Sequence, residues 1–197
     1  MLEHLRDSLL ALQQKDLSVR DELEADGSLF DGYHPRMAAV HRENARELRK
    51  VMDEFGWPHE GLVGKEGAEA AWLVLQHSIG EPDCMRRGRD LLAVEVAAGR
   101  VPEWQFAYLD DRIRVFEGRP QRFGTQMEIT PDGPVVCEVE EPAQLEQRRQ
   151  QAGLSPLTQR LKDMRSAPRP SPAEYQARKS AEAAWRIEVG WIPVSDC

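Results

Sequence analysis

The feature that most constrains the fold is an apolar pattern of helical period that recurs along the first part of the chain. In residues 2–24, leucines and one valine return at steps of three and four residues and form one stripe, as in an amphipathic helix. The segment AEAAWLVLQHSI is apolar nearly all round, which predicts a helix buried in the middle of a bundle. Glycines and prolines mark the ends of these segments. The pattern predicts helices at about residues 2–24, 35–55, 65–79, 83–98 and 102–117.

A different pattern follows these helices. The sequence MEIT-PDG-PVVCEV places two β-prone runs around a turn of about three residues, which predicts a β-hairpin near 126–139. Helical sequence resumes with LEQRRQQ and again near 155–164. The proline-rich residues 166–173 predict an extended linker. Residues 174–197 predict a helical arm that docks on the body or on a second copy, the latter making a homodimer.

Together these patterns predict a mainly α fold. We expect a compact helical bundle-like domain of five or six helices with one small β-hairpin, spanning residues 1–165 and followed by the linker and the arm. At 197 residues the chain is long enough for one domain with a substantial core.

The composition limits the partners and the location. A formal charge of −8 offers no basic face to a phosphate backbone, so nucleic acid is not an expected partner. The run Arg86-Arg87-Gly88-Arg89 is more typical of a solvated helix start than of an anion site. The cysteines are widely spaced without a Cys-x-x-Cys pair, and no segment has the roughly 20 apolar residues of a membrane span. The sequence therefore predicts a reduced, soluble cytoplasmic protein without a membrane or signal segment.

Polar residues interrupt the apolar stripes of several helices. Asp16 occupies the position between Leu12 and Val19 where the first stripe should continue, and Arg20 follows one turn later, at a pairing distance. A carboxylate on an apolar seam is costly to bury unless it has a partner. Similar interruptions are His41 and Asn44 in the second helix, and Gln76 and His77 at the end of the third.

The densest polar segment is DRIRVFEGRPQRFGTQ, residues 111–126. It leaves a helix through Gly118 and Pro120 and enters a loop rich in groups that make fixed hydrogen bonds. If the interrupted stripes converge, these groups meet around one cavity that the loop closes. Such a set is either a satisfied structural network, which is the favoured interpretation, or a ligand site with partners left open. The residues that this segment adds are Asp111, Arg112, Gln121, Thr125 and Gln126.

In the functional interpretation His77 transfers protons, because an imidazole gains and loses a proton near neutrality. Asp111 or Asp16 orients it by accepting a hydrogen bond from one ring nitrogen. Arg20 or Arg112 holds a carboxylate or phosphate of the ligand. The other polar groups contact the substrate: His41, Asn44, Gln76, Gln121, Thr125 and Gln126.

A metal site is a less favoured alternative. His34 and His41 lie seven residues apart and, with His77 and a carboxylate, would make a ligand set, but their spacing matches no short metal motif. No serine or cysteine lies in a nucleophile turn, and the glycines form neither a phosphate loop nor a dinucleotide fingerprint. The sequence therefore predicts no metal and no cofactor.

Several motifs resemble a known family. FGWP at 55–58, AAWLVLQH at 70–77 and DRI followed by GRPQRFGTQ look like an uncharacterised bacterial family, domain of unknown function 6624. The likeness covers about 1–165 and implies no activity. Leu17 departs from it, since a glutamine is expected after the aspartate. The positions that match the family's characteristic residues are Asp16, Arg20, Asn44, Gln76, His77, Asp111, Arg112, Gln121, Gly124, Thr125 and Gln126.

Two functions stay open. The first is an enzyme that uses acid–base chemistry on a small polar or anionic substrate, with His77 as the acid or base. The second is a module without chemistry that binds a small molecule or a protein partner, and whose buried polar network is structural. In that case the arm around Tyr175 and Trp185 is the expected contact surface.

Overall fold

The stripe of the N-terminal segment forms the first helix, α1 (Glu3–Ala25), whose buried face carries Leu5, Leu9 and Leu23. The computed structural model describes residues 2–30 and 32–193. Three more long helices follow, namely α2 (Pro35–Phe55), α3 (Glu60–His77) and α4 (Pro82–Ala97). With a 3-10 turn at Ser28–Phe30 they make up one of two compact units, Met1–Val101.

The ends of α2 follow from the residues that flank it. Pro35 lies in the first turn, where its missing N–H costs nothing, and His34 Nδ1 accepts a hydrogen bond from the Arg36 N–H at 3.2 Å. Gly56 ends the helix with a φ of 74°, a conformation that favours glycine. These ends coincide with the predicted bounds. The buried face of α2 does not extend to Phe55, the last residue of the helix, whose side chain is 36% exposed.

The third helix lies at the centre of the first unit, where α3 packs against α1, α2 and α4. Ala70 and Ala71 are fully buried beside Val74 and Leu75, and such small side chains let neighbouring helices approach closely. The helix is broken at Gly64, where φ is 74° and ψ is 167°. Its regular part therefore begins at the predicted residue 65, after a separate first turn.

The contact between α3 and α4 leads to the first prediction. A Cβ on Gly88 of α4 would lie 2.4 Å from Leu75 Cδ2, and Leu75 is fully buried. We expect Gly88→Ala to destabilise the first unit by about 1–3 kcal/mol through overpacking, offset by about 1 kcal/mol of helix propensity. Urea unfolding measures the change. The double variant Gly88→Ala/Leu75→Ala should lose less than the sum of the two single variants. A Gly88→Ala protein more stable than the wild type would contradict the close packing.

The second unit, Pro102–Cys197, is described up to residue 193. It begins with α5 (Glu103–Phe116), which is followed by the strands β1 (Met127–Thr130) and β2 (Gly133–Val136). The strands pair antiparallel, with Thr130 opposite Gly133, so that Pro131 and Asp132 alone form the turn. The turn is thus one residue shorter than the sequence predicts.

Three helices complete this unit: α6 (Leu145–Gln151), α7 (Leu157–Asp163) and α8 (Pro172–Glu188). The last of them, α8, contacts its own unit. The Glu128 carboxylate on β1 accepts hydrogen bonds from the Tyr175 hydroxyl at 2.7 Å and from Lys179 Nζ at 2.6 Å. Trp185 packs edge-on against Phe116, with ring centroids 5.6 Å apart. The homodimer through this arm stays a prediction.

The chain is mainly helical with one small antiparallel hairpin, as the sequence predicts. The predicted count of five or six helices is wrong, because the described residues form eight α-helices. The additional helices lie after the hairpin, and α6 and α7 have only seven residues each. The sequence indicates helical segments at all of these places, but the predicted count did not include them all. The predicted domain at 1–165, with a separate linker and arm, stays a prediction.

Within the described residues, no helix combines the length and the apolar character needed to cross a bilayer.

Candidate functional site

A buried carboxylate between two imidazoles is the most unusual feature of the first unit. Asp16 of α1 is fully buried. Its Oδ1 lies 2.9 Å from His77 Nδ1 at the end of α3, and its Oδ2 lies 3.2 Å from His41 Nε2 on α2. The two imidazole rings have centroids 5.4 Å apart. We call Asp16, His41 and His77 the Asp–His cluster, and it joins three helices that are distant in sequence.

The charge of Asp16 follows from its surroundings. Burial by itself raises the pKa of this carboxyl, but the contacts with His41 and His77 outweigh it and lower the pKa to about 2. Asp16 is therefore ionised at neutral pH and acts only as an acceptor. Since an ionised carboxylate cannot donate, the proton in the bond to His77 is carried by Nδ1 of the imidazole.

A tyrosine that the sequence analysis did not single out orients His41. The Tyr33 hydroxyl lies 2.9 Å from His41 Nδ1, and the two rings are stacked. Burial, followed by the charges of Glu81 and Asp16, raises the pKa of Tyr33, so the phenol keeps its proton. This contact fixes the orientation of the His41 ring whichever of the two groups donates the proton, and it leaves Nε2 facing Asp16.

His77 is the most accessible member of the cluster. Its side chain is 29% exposed, whereas that of His41 is 9% exposed and that of Asp16 is fully buried. With Nδ1 held by Asp16, the nitrogen left to exchange protons is Nε2. Among the described residues nothing forms a hydrogen bond with His77 Nε2. This is the arrangement in which a carboxylate orients an imidazole that acts as a base.

The cluster also satisfies the first requirement of a cation site. Asp16, His41 and His77 each offer one ligand atom, and these atoms lie within 4.8 Å of one another. His34, which the sequence analysis considered as a ligand, is not in this group. It sits before α2 with its Nδ1 engaged by Arg36, as described above.

Three more predicted residues lie in the first unit. Arg20 is half-buried one turn after Asp16 and makes no hydrogen bond or ion pair within the described part of the chain. Asn44 is buried one turn after His41, and its Nδ2 donates to the Leu12 carbonyl at 3.0 Å, which ties α2 to α1. Gln76 is buried in the last turn of α3.

In the second unit, Asp111 holds the loop that follows α5. Its fully buried carboxylate accepts hydrogen bonds from the N–H groups of Arg122 at 2.7 Å, Phe123 at 3.0 Å and Thr125 at 2.9 Å. The Thr125 hydroxyl donates to it as well, at 3.0 Å. Of the two carboxylates that the sequence left open as partners of His77, the one hydrogen-bonded to it is therefore Asp16.

Gln121 closes the same loop from its other side. Its side-chain amide donates to the carbonyls of Gln126 and Cys137, both at 2.9 Å, and its Oε1 accepts from the Gln126 N–H at 2.9 Å. The Gln126 side chain in turn donates to the Thr125 hydroxyl at 3.0 Å. We call Asp111, Gln121, Thr125 and Gln126 the loop network. Its bonds lie within one unit and hold the loop in one conformation.

Arg149 of α6 belongs with this loop, although the sequence analysis did not single it out. Its side chain is buried and donates to the carbonyls of Phe123 at 2.6 Å, Gly124 at 3.1 Å and Ser155 at 2.6 Å. As with Asp16, the sequence places a charged residue on the apolar face of a helix. Arg149 follows the apolar Leu145 by four residues, which places a charge on the buried face of a helix. The last predicted residue, Arg112, is half-buried, and burial lowers its pKa.

A surface groove of about 310 Å³ runs between α1 and α2 without touching the Asp–His cluster. Its apolar lining includes Leu5, Leu12 and Phe55, and its polar lining includes Glu47 and Lys50. The structure thus brings the predicted polar residues together in two sets, the cluster in the first unit and the loop network in the second. Their convergence around one cavity stays a prediction.

The fold and the site define a mainly helical protein with a buried carboxylate held between two histidines. A model of the family of unknown function DUF6624 matches residues 3–168. The chain belongs to this family, which confirms the resemblance inferred from its motifs. No curated protein and no solved structure matches the chain.

Proposed function

We propose that this protein is an enzyme that carries out acid–base chemistry on a small polar or anionic molecule at the Asp–His cluster. The observation that carries the proposal is the state of His77. A buried, ionised Asp16 holds its Nδ1 at 2.9 Å, while its side chain stays 29% exposed. Nε2 can then take a proton from a bound molecule and return it later in the reaction.

Asp16 contributes in two ways. It fixes the tautomer, so that the basic lone pair lies on Nε2, and its negative charge stabilises the imidazolium that forms when His77 takes up a proton. His41 Nε2 lies 3.2 Å from the other carboxylate oxygen, and Tyr33 orients the His41 ring. A site whose groups are already oriented loses less free energy to reorganisation during the reaction.

The preference for an anionic substrate rests on Arg20. This guanidinium lies one helical turn after Asp16, is half-buried, and has no carboxylate partner within the described residues. Arginine binds carboxylates and phosphates through two parallel hydrogen bonds. We assign it to ligand binding, and the same role for Arg112 stays a prediction.

The test begins with ligands, because the substrate is not known. A thermal-shift panel of phosphorylated sugars, nucleotides, carboxylates and amino acids identifies molecules that raise the melting temperature, and NMR then follows their consumption. We expect His77→Gln to lower turnover by at least about 100-fold while the ligand still raises the melting temperature. His4→Gln, on the exposed face of α1, is the control and should match the wild type. Full turnover by His77→Gln contradicts the proposal.

A second candidate is a binding or interaction module without chemistry. The loop network favours it, because each of its side chains is held by bonds within its own unit. If no molecule in the panel is consumed, this candidate replaces the first. The predicted homodimer through α8 belongs to it and is tested by sedimentation of the full chain, with Ile187→Glu as the variant, since Ile187 is 44% exposed.

A further inference from the structure

We propose that the Asp–His cluster binds a divalent first-row transition-metal ion, with Asp16, His41 and His77 as its protein ligands. This inference goes beyond the acid–base proposal and does not rest on it, since metal binding is measured without a substrate. The proposed ligand groups are the Asp16 carboxylate, Nε2 of His41 and Nδ1 of His77.

Two buried polar atoms of the cluster lack hydrogen bonds. Asp16 Oδ2 and His41 Nε2 are both buried and lie 3.2 Å apart, but neither forms a hydrogen bond within the described residues. Leaving a buried polar atom unsatisfied costs about 1–3 kcal/mol, and more when the group is charged. Here two such atoms, a carboxylate oxygen and an imidazole nitrogen, face each other across a distance suited to a shared ion. A bound cation would satisfy both atoms at once.

The distances between the carboxylate oxygens and the imidazole nitrogens also suit a metal ion. Zinc and similar ions bind nitrogen and oxygen at about 2.0–2.2 Å. At bonds of that length, two ligand atoms 2.9–3.2 Å apart subtend about 90° at the ion. The pairs Asp16 Oδ1–His77 Nδ1 and Asp16 Oδ2–His41 Nε2 have those separations, at 2.9 and 3.2 Å. Neighbouring ligands of an octahedral ion have this angle, and the ligand atoms of all three residues lie within 4.8 Å of one another, so the carboxylate and both imidazoles can reach one ion.

The ligand types select the class of metal. Two imidazoles with one carboxylate suit iron, cobalt, nickel or zinc in the +2 state, whereas calcium and magnesium prefer oxygen ligands alone. The buried thiol of Cys84 is not one of the grouped ligands. Three protein ligands leave coordination positions open, and the partial exposure of His77 gives solvent a route to them. A site of this kind is of the catalytic rather than the closed structural type.

Tyr33 supplies the support that metal-binding histidines usually have. A ligating imidazole generally uses its second nitrogen for a hydrogen bond that fixes the orientation of the ring. In this chain that nitrogen is His41 Nδ1, and the Tyr33 oxygen lies 2.9 Å from it. With an ion on Nε2, Nδ1 carries the proton and donates it to the phenol oxygen. Tyr33 is therefore a positioning residue for the metal ligand.

A bound ion would also change which group transfers the proton. With the metal bound, His77 Nδ1 is a ligand and no longer donates to Asp16. A metal-bound water has a lowered pKa and can supply the base instead. The cluster thus offers two distinguishable chemistries, a metal-free imidazole base and a metal-activated water.

The test uses the full chain stripped of metal by a chelator. Calorimetric titration with Zn²⁺ and visible absorption on titration with Co²⁺ should both show one site per chain. We expect His41→Gln and His77→Gln each to weaken binding by at least about 100-fold, and Tyr33→Phe, which keeps all three ligands, to weaken it by about 10–100-fold. His4→Gln is the matched control and should bind as the wild type does. Circular dichroism verifies that each variant is folded.

Absence of a one-to-one site in the wild type overturns the metal site, and so does wild-type affinity in either His41→Gln or His77→Gln. The two proposals fail separately. Turnover that persists in chelator, with no one-to-one binding, overturns the metal site and leaves the imidazole base in place. One-to-one binding that His41→Gln and His77→Gln abolish supports the metal site, even when the ligand panel shows no turnover.

Discussion

Asp111→Asn is expected to lower the unfolding free energy of the second unit by about 3–6 kcal/mol. The wild-type carboxylate accepts from the N–H groups of Arg122, Phe123 and Thr125 and from the Thr125 hydroxyl. Asparagine has the same shape, but its amide nitrogen donates and cannot accept. Whichever way the amide is turned, donors on that side lose their acceptor, and each hydrogen bond to a charged group contributes about 1.5–3 kcal/mol. Loss of about two such bonds accounts for the expected change.

Denaturant unfolding measures the loss, and hydrogen exchange locates it. Exchange of the backbone amides in residues 118–126 should accelerate most, because that loop is the segment Asp111 holds. Asp132→Asn in the exposed hairpin turn is the matched control, and it should change stability by no more than about 0.5 kcal/mol. An Asp111→Asn protein with wild-type stability and unchanged exchange in the loop would show that the network does not hold it.

Asp16→Asn, measured in chelator, is expected to lower the unfolding free energy of the first unit by about 2 kcal/mol at pH 7. In the folded protein the pKa of Asp16 is about 2, against an ordinary value of 3.8. The ionised form is therefore bound more favourably by the folded state. This stabilisation is present in full above the ordinary pKa and is lost as the pH falls from about 4 towards 2.

Urea unfolding of the wild type and the variant at pH 7, 5, 4 and 3 tests both parts of this expectation. The difference between the two proteins should be present at pH 7 and should shrink at pH 4 and 3, where the Asp16 carboxyl takes up its proton. Asp21→Asn, exposed on the same helix, is the control, and its difference from the wild type should be small at every pH. A stability difference for Asp16→Asn that does not depend on pH would mean that the contacts with His41 and His77 do not favour the ionised carboxyl.

The long helices were predictable because each one repeats its apolar stripe several times before a glycine or proline ends it. The predicted bounds 35–55 coincide with α2, and the predicted 2–24 differs from α1 by one residue at each end. Helical sequence was also predicted where α6 and α7 lie, but each spans only about two turns, and the predicted count did not include both. The pairing of Thr130 with Gly133 was likewise not determined by the Pro-Asp-Gly sequence alone.

The burial of several candidate residues was predictable from the sequence, whereas their hydrogen-bond partners were not. A carboxylate on an apolar seam predicted that Asp16 is buried with partners, and His41 and His77 are those partners. The choice between Asp16 and Asp111 as the carboxylate on His77 was left open, since both lie on the buried faces of helices. Tyr33 was missed because it lies in a loop, where no periodicity marks a partly buried side chain.

The sequence alone determined where the helices lie, which faces are apolar and which polar residues interrupt those faces. These properties are local, since the period of a helix brings residues three and four apart onto one side. Only the tertiary structure decided that Asp16 meets both His41 and His77, which are distant from it along the chain. It also showed that the Asp111 carboxylate accepts hydrogen bonds from the loop that follows its own helix. Contacts between helices depend on their packing angles and on the rotation of each about its axis, and no spacing within one helix specifies these.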